Sequence, residues 1–155
     1  MRFQQENILS LEQKKEILDL WNNEYPLNLN YQDISQLEDY LEKLKDQHHL
    51  LLLDENDKIK GWYSDFIREG ERWFLAILDH KFQGRKFGRK MLEMAMESNC
   101  VLNGWIIPND DYLKSNGEFY KSPIGFYQKI GFQILENIKL ETEKIRAVKI
   151  QWRDS

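Results

Sequence analysis

Apolar residues in this chain recur with two alternating periods, and each change of period marks a new element. Leu11, Ile17, Leu18 and Trp21 keep helical spacing, and Ser10 with Gln13 has the form of a capping box. A helix is therefore predicted from Ser10 to Glu24, closed by Pro26. Leu37, Tyr40, Leu41 and Leu44 share one face of a second helix from Ile34 to Lys45. His49–Leu53 is a short apolar run stopped by Asp54-Glu55-Asn56-Asp57, and Lys58–Ile67 resumes with Ile59, Trp62, Tyr63 and Phe66. These read as two hairpin strands, followed after a turn at Gly70-Glu71 by a strongly apolar strand, Arg72–Leu78.

Phe87, Met91, Leu92 and Ala95 then mark a helix over Phe87–Ser98, with Asn99 as its stop. Val101–Ile107 reads as a buried strand, and Ser122-Pro123 as an N-cap and first helical residue of a helix that ends at Gly131. Phe132–Leu140 and Ile145–Trp152 form a closing hairpin around Glu141–Lys144. Helix, helix, three strands, helix, strand, helix and two strands make a mixed α/β arrangement. No repeat or linker interrupts it, so one domain is expected over residues 1–155.

Composition narrows the function classes. The chain has one cysteine, Cys100, which excludes an internal disulfide and a thiolate-rich metal site. The longest pure aliphatic run is Leu50–Leu53, far short of a membrane span or signal segment, so a cytoplasmic protein with no membrane contact is expected. A net charge of -4 disfavours nucleic-acid binding. The charge is unevenly placed, however. Lys81, Arg85, Lys86, Arg89 and Lys90 lie within ten residues that contain no acid; removing those five from the total of 22 leaves 17 basic against 26 acidic residues, a balance of -9.

That basic segment joins an apolar strand to a helix through Gln83-Gly84-Arg85-Lys86-Phe87-Gly88. A glycine loop that opens a helix gathers free backbone amides at the positive end of the helix dipole, an anion site by construction. Gly84 allows a tight turn and close approach of phosphate oxygens, and Gly88 allows the helix to pack near the strand. The bland alternative is an ordinary turn beside a solvated basic face. The segment matches neither a Walker loop nor the G-x-G-x-x-G dinucleotide fingerprint, which excludes those nucleotide sites.

The same residues resemble the first signature of the GNAT superfamily of acyl-CoA N-acyltransferases, Q/R-x-x-G/A-x-G/A after an apolar strand. Tyr127-Gln128-Lys129-Ile130-Gly131-Phe132 is similar to the second signature, Y-x-K-x-G-F, at every fixed position. The resemblance implies a central mixed, mostly antiparallel sheet with a splayed parallel pair, flanked by about four helices. It implies acetyl-CoA or coenzyme A held by Gln83, Gly84, Arg85, Lys86, Phe87, Gly88 and Arg89, with the pantetheine arm on the strand amides of Ile77 and Leu78. The Leu78 amide would face the thioester carbonyl, and Tyr127 would be the general acid that protonates the departing thiolate. A wet-tipped helix tyrosine is the competing reading of Tyr127. Three departures stand out: Lys86 replaces a small residue, so no positive φ is expected there; Tyr120 and Pro123 stand where the family often has N-x-x-A; and Ile107–Ser122 is longer than a minimal connection.

The acceptor is expected to be a primary amine of a small molecule or peptide, attacking directly in a ternary complex. Trp21, Tyr25 and Tyr31 fall where relatives line the acceptor pocket, either as ordinary packing or as an aromatic wall. The base that deprotonates the amine does not stand out: Glu71 lies on the wrong strand face, and Asp65, Asp79, Glu118 and water are equal alternatives. His48, His49 and His80 lack ligand spacing, so no metal is expected and exposure or strand-edge packing is. Cys100 reads as a buried small hydrophobe. A catalytically silent acyl-CoA sensor or scaffold is the alternative function, and the chain is expected to be a monomer or homodimer.

Overall fold

The computed structural model describes residues 1–155. Seven strands form one sheet: β1 (Arg2–Glu6), β2 (Lys45–Leu53), β3 (Ile59–Arg68), β4 (Glu71–Leu78), β5 (Val101–Ile106), β6 (Gln133–Glu141) and β7 (Arg146–Arg153). Their order across the sheet is β1-β2-β3-β4-β5-β7-β6, and only β4 and β5 run parallel. Four α-helices accompany them: α1 (Leu11–Glu24), α2 (Ile34–Glu42), α3 (Phe87–Glu97) and α4 (Ile124–Lys129). This is the mixed α/β fold that the pattern of the chain predicts.

Local signals explain most boundaries. The Ser10 hydroxyl accepts from the Gln13 amide and the Gln13 side chain accepts from the Ser10 amide, so the capping box at α1 is complete. Helix α2 ends at Glu42, and β2 begins at Lys45, where the apolar spacing predicts continued helix. Strand β1 has no counterpart in the periodicity; its polar sequence RFQQE hides a register set by pairing along β2. Helix α4 starts at Ile124, one residue later than its Pro123 signal. The Ser122 hydroxyl still accepts from the Ile124 amide and donates to the Ile107 carbonyl.

Leu50–Leu53 is apolar throughout because both faces of the sheet are covered. One core cluster joins Ile17, Leu20, Trp21, Leu37 and Leu41 to Leu51, Trp62, Phe66 and Trp73 beneath α1 and α2. The other joins Met91, Leu92 and Ala95 of α3 and Tyr127 of α4 to Leu50, Tyr63, Phe74 and Leu102. Full burial of each large apolar side chain contributes about 1.5–3 kcal/mol. His49 is part of this interior, contrary to the exposed or edge position expected. It is buried, stacks on Trp62, and accepts from the Trp62 indole N–H at Nδ1 over 3.1 Å. Burial lowers its pKa to about 4, with the His48 charge a second cause. Cys100 is exposed rather than buried.

The parallel pair opens the sheet. β4 and β5 share a single register pair, Trp73 with Asn103, tied by the Asn103 side chain donating to the Arg72 carbonyl. Beyond it the two strands part, leaving one edge of β4 open toward its C-terminal end.

Candidate active site

A cavity of about 540 Å³ occupies the opening beside β4, a volume suited to a small-molecule or cofactor site. Its wall runs from Gln83, Gly84, Lys86, Gly88 and Arg89 past Ala76, Ile77 and Leu78 to Tyr127, and ends at Glu24 of α1 and its C-cap Tyr25. One end is therefore built by the basic loop and the other by the C-terminus of α1.

At the loop end, the backbone amides of Gly84, Arg85, Lys86, Phe87, Gly88 and Arg89 donate to no protein acceptor; the next amide, of Lys90, bonds the Lys86 carbonyl over 3.1 Å. Gly84 has φ +77° with no atom within 4 Å of where a Cβ would stand. Lys86 also has a left-handed backbone, φ 68°, which overturns the expectation of an ordinary conformation there. For a non-glycine residue that conformation costs about 1–2 kcal/mol. The gain is geometric: left-handed residues among free amides turn successive N–H groups toward one side, forming an anion-binding concavity at the start of α3.

The side chains of this loop divide. Gln83 donates to the Leu78 carbonyl over 3.0 Å and so ties the loop to the strand end. Arg85 lies over the Phe82 ring, and Phe87 faces away into a second groove with Phe3 and Met94. Arg89 lines the cavity while pairing with Glu93 one turn on, so its charge is partly matched. Gly88 is not dictated by packing, since an added Cβ would stand in ordinary contact, 3.4 Å from Phe126.

Along the strand, hydrogen-bond alternation decides which amides are free. The Asp79 amide donates to the Lys60 carbonyl over 2.8 Å, and the β3–β4 register continues through Trp62 with Ile77. Ile77 therefore directs its amide to β3, whereas Leu78 and Ala76 turn theirs to the open edge. The geometry expected of Leu78 is present; that expected of the Ile77 amide belongs to Ala76.

Tyr127 is buried against Phe74, Phe126 and Phe132, with ring centroids 5.8, 5.1 and 5.1 Å away, and it lines the cavity. Burial first, and Tyr120 second, push its pKa well up, so the phenol holds its proton at neutral pH. Tyr25 lines the cavity too, and burial raises its pKa well above the ordinary value. Trp21 and Tyr31 do not reach it. They stack on each other at 4.9 Å, and the Trp21 indole donates to the Leu29 carbonyl.

The residue that sequence reasoning misses is Glu24. It is buried on the stripe Ile17, Leu20, Trp21, Glu24 of α1 and is the sole carboxylate lining the cavity. Its Oε2 accepts from the backbone amide of His80 over 3.2 Å and pairs with His80 Nδ1 at 2.8 Å. Lys114 Nζ stands 3.6 Å from Oε1. An acid at a core position of a helical stripe is the signal that could have found it. The carboxylates that the sequence offers as alternatives are occupied elsewhere. Asp65 pairs with Arg72 and accepts from Tyr63, Glu71 is exposed near Lys149, Asp79 caps the turn at Lys81, and Glu118 is exposed. Glu24, Asp79 and His80 bring their ligand atoms close together, but the Lys114 ammonium shares that corner.

Known proteins share this architecture. A family model described as an acetyltransferase (GNAT) domain matches residues 46–134, more than half of the chain. No curated protein sequence matches the chain. Among solved structures, an aminoglycoside 6'-N-acetyltransferase complexed with coenzyme A is similar at TM-score 0.69 and 12% identity, covering 99% of this chain and 97% of that one. Escherichia coli ElaA is similar at TM-score 0.70 and 18% identity, over 99% and 100% of the two chains. A variant of the spermidine N-acetyltransferase SpeG from Vibrio cholerae is similar at TM-score 0.66 and 14% identity, over 99% and 95%. At these identities the structures establish a shared fold. No helix is long and apolar enough to cross a membrane.

Proposed function

The chain belongs to the GNAT acetyltransferase family, and on that premise we propose that it transfers the acetyl group of acetyl-CoA to a primary amine by direct attack in a ternary complex. The observation that carries this reading is the continuity of one cavity, from six unpartnered amides at the start of α3 to a protonated phenol and a buried carboxylate. The residues fit the cofactor: free amides, a helix start and Lys86 and Arg89 suit a diphosphate, and the open edge of β4 suits an amide-bearing arm.

Bound there, acetyl-CoA supplies an activated acyl thioester. The chain supplies the rest. The Leu78 amide, on the open edge, serves as the donor for negative charge developing on the thioester oxygen; a single such donor is worth about 2.7–4 kcal/mol in other enzymes. The apolar side chains of Ile77, Met91 and Leu92 keep water from the reacting atoms. Tyr127 gives its proton to the departing sulfur; as a phenol it carries that proton throughout the neutral range. Tyr25, beside Glu24, belongs to the wall that the acceptor meets.

The test is a panel of primary amines incubated with acetyl-CoA and the protein while free thiol is measured and products are weighed. Amine-dependent thiol release is expected, with one acetyl group added per thiol. Tight acetyl-CoA binding with no transfer to any amine would favour a sensor or scaffold.

A further inference from the structure

Resting on the acetyltransferase reading, we infer that Glu24 is the residue that takes a proton from the acceptor ammonium, and that His80 is its positioning residue. The electrostatics of the cavity point this way first. Its wall carries four basic residues, Lys86, Arg89, Lys121 and Lys129, and one acid, Glu24. A cationic acceptor is repelled from the cofactor end and has one carboxylate to approach.

The hydrogen bonding of that carboxylate divides its two oxygens. Oε2 is held twice by one residue, through the His80 amide at 3.2 Å and His80 Nδ1 at 2.8 Å. Oε1 accepts no hydrogen bond, and the Lys114 ammonium at 3.6 Å stands where a ligand cation belongs. A carboxylate pinned by two hydrogen bonds at one oxygen, and held at the other only by the longer Lys114 ion pair, is oriented for proton transfer at that second oxygen. The groups around it are Tyr25, the C-cap of α1, Asp79 and His80 after β4, and Lys114 on the segment after β5, while Tyr120 of that segment lines the same cavity. Asp79 Oδ1 lies 3.8 Å from His80 Nδ1 and reinforces the tautomer that donates to Glu24. The His80 ring is half exposed, whereas the Glu24 side chain is 6% exposed, so the dyad links a dry site to solvent.

The protons balance. The acceptor ammonium gives one proton to Glu24 Oε1, which returns it to solvent between turnovers. The freed amine forms the C–N bond as the C–S bond breaks. The sulfur receives a proton from Tyr127, and the second proton lost by the nitrogen restores the phenol.

The experiment uses the full chain, acetyl-CoA and the best amine of the panel, and compares wild type with Glu24→Gln, Glu24→Asp, His80→Ala and His80→Asn. Glu24→Gln should lower kcat/KM for the amine by about a hundredfold to ten-thousandfold while acetyl-CoA affinity stays within about twofold. Its kcat/KM should climb about tenfold per pH unit up to the pKa of the amine, because only free amine then reacts, where wild type is flat. Glu24→Asp, which keeps the charge, should fall between them and covers the case in which the glutamine variant does not fold. His80→Ala should lower kcat about tenfold with little change in KM, because the carboxylate loses the donor that orients it. His80→Asn, which restores an N–H donor, should recover most of the rate. Wild-type rates and an unchanged pH profile in both Glu24 variants would overturn the assignment while leaving the acetyltransferase reading intact. A wild-type protein that acetylates no amine would remove that reading, and this inference with it.

Discussion

The cofactor end of the cavity is made from six neighbouring residues, Gly84–Arg89, whereas the acceptor end draws Glu24, His80, Lys114 and Tyr120 from segments far apart in the chain. The first binds through backbone, and so needs only a strand, a glycine turn and a helix start. The second binds through side chains, and each must be delivered by its own element. Anion binding by main-chain amides tolerates sequence change, since nearly every residue carries an N–H. Recognition by a buried carboxylate does not, because one substitution removes it. The difference separates affinity for the cofactor from turnover of the acceptor.

The largest test of that separation is Tyr127→Phe. It deletes one hydroxyl and keeps the ring among Phe74, Phe126 and Phe132. The turnover rate should drop about a hundredfold to ten-thousandfold with acetyl-CoA affinity unchanged, measured by thiol release and calorimetry on the same preparation. Wild-type turnover with thiol release shown to be rate-limiting would remove Tyr127 from the acid role.

His49 lies outside both ends and reports on the fold alone. Its pKa is about 4 in the folded protein against 6.5 ordinarily, so the unfolded chain binds more protons between those values. Stability is fully present above pH 6.5 and is lost as pH falls toward 4, by up to about 3 kcal/mol. Denaturant titrations of wild type and His49→Gln across that window should show a smaller pH slope in the variant. Equal slopes would mean that His49 is not the titrating group, and activity losses in acid must be read against this background.

Gly84→Val sharpens the cofactor side. Open space surrounds the position, so the cost is the left-handed backbone and the blocked approach of an anion, not a clash within the protein. A strain of about 1–2 kcal/mol corresponds to roughly a tenfold loss of coenzyme A affinity. Wild-type affinity in this variant would show that the loop is not the cradle. The smallest effect is expected of Arg85→Glu with Arg89→Glu, because Arg89 is already matched by Glu93 and Arg85 lies over Phe82. Affinity should fall several-fold near about 0.01 M salt and approach wild type near about 1 M. A loss independent of salt would indicate a steric effect.

These asymmetries also explain what the sequence could convey. Elements with strong periodicity, such as α1 with its capping box and the apolar β4, are legible because local chemistry and tertiary burial agree. Strand β1 is not: Arg2–Glu6 has a polar sequence, and only pairing with β2 makes it a strand. His49 reads as exposed because its neighbours His48 and Gln47 are polar, while its partner Trp62 comes from the next strand. Lys86 shows the limit of residue-type rules, since its left-handed conformation follows from the turn into α3 and not from its own preference. Glu24 is hidden by composition: an acid near a helix end is ordinarily solvated, and its burial depends on His80 and on the long segment that brings Lys114.

That the Gly84–Arg89 loop cradles coenzyme A is best tested by calorimetric titration of the protein with coenzyme A and acetyl-CoA, paired with thermal melts. One site per chain is expected, with a melting temperature that rises with ligand concentration, because the loop binds only when folded. No heat of binding and an unmoved melting temperature at saturating ligand would contradict it.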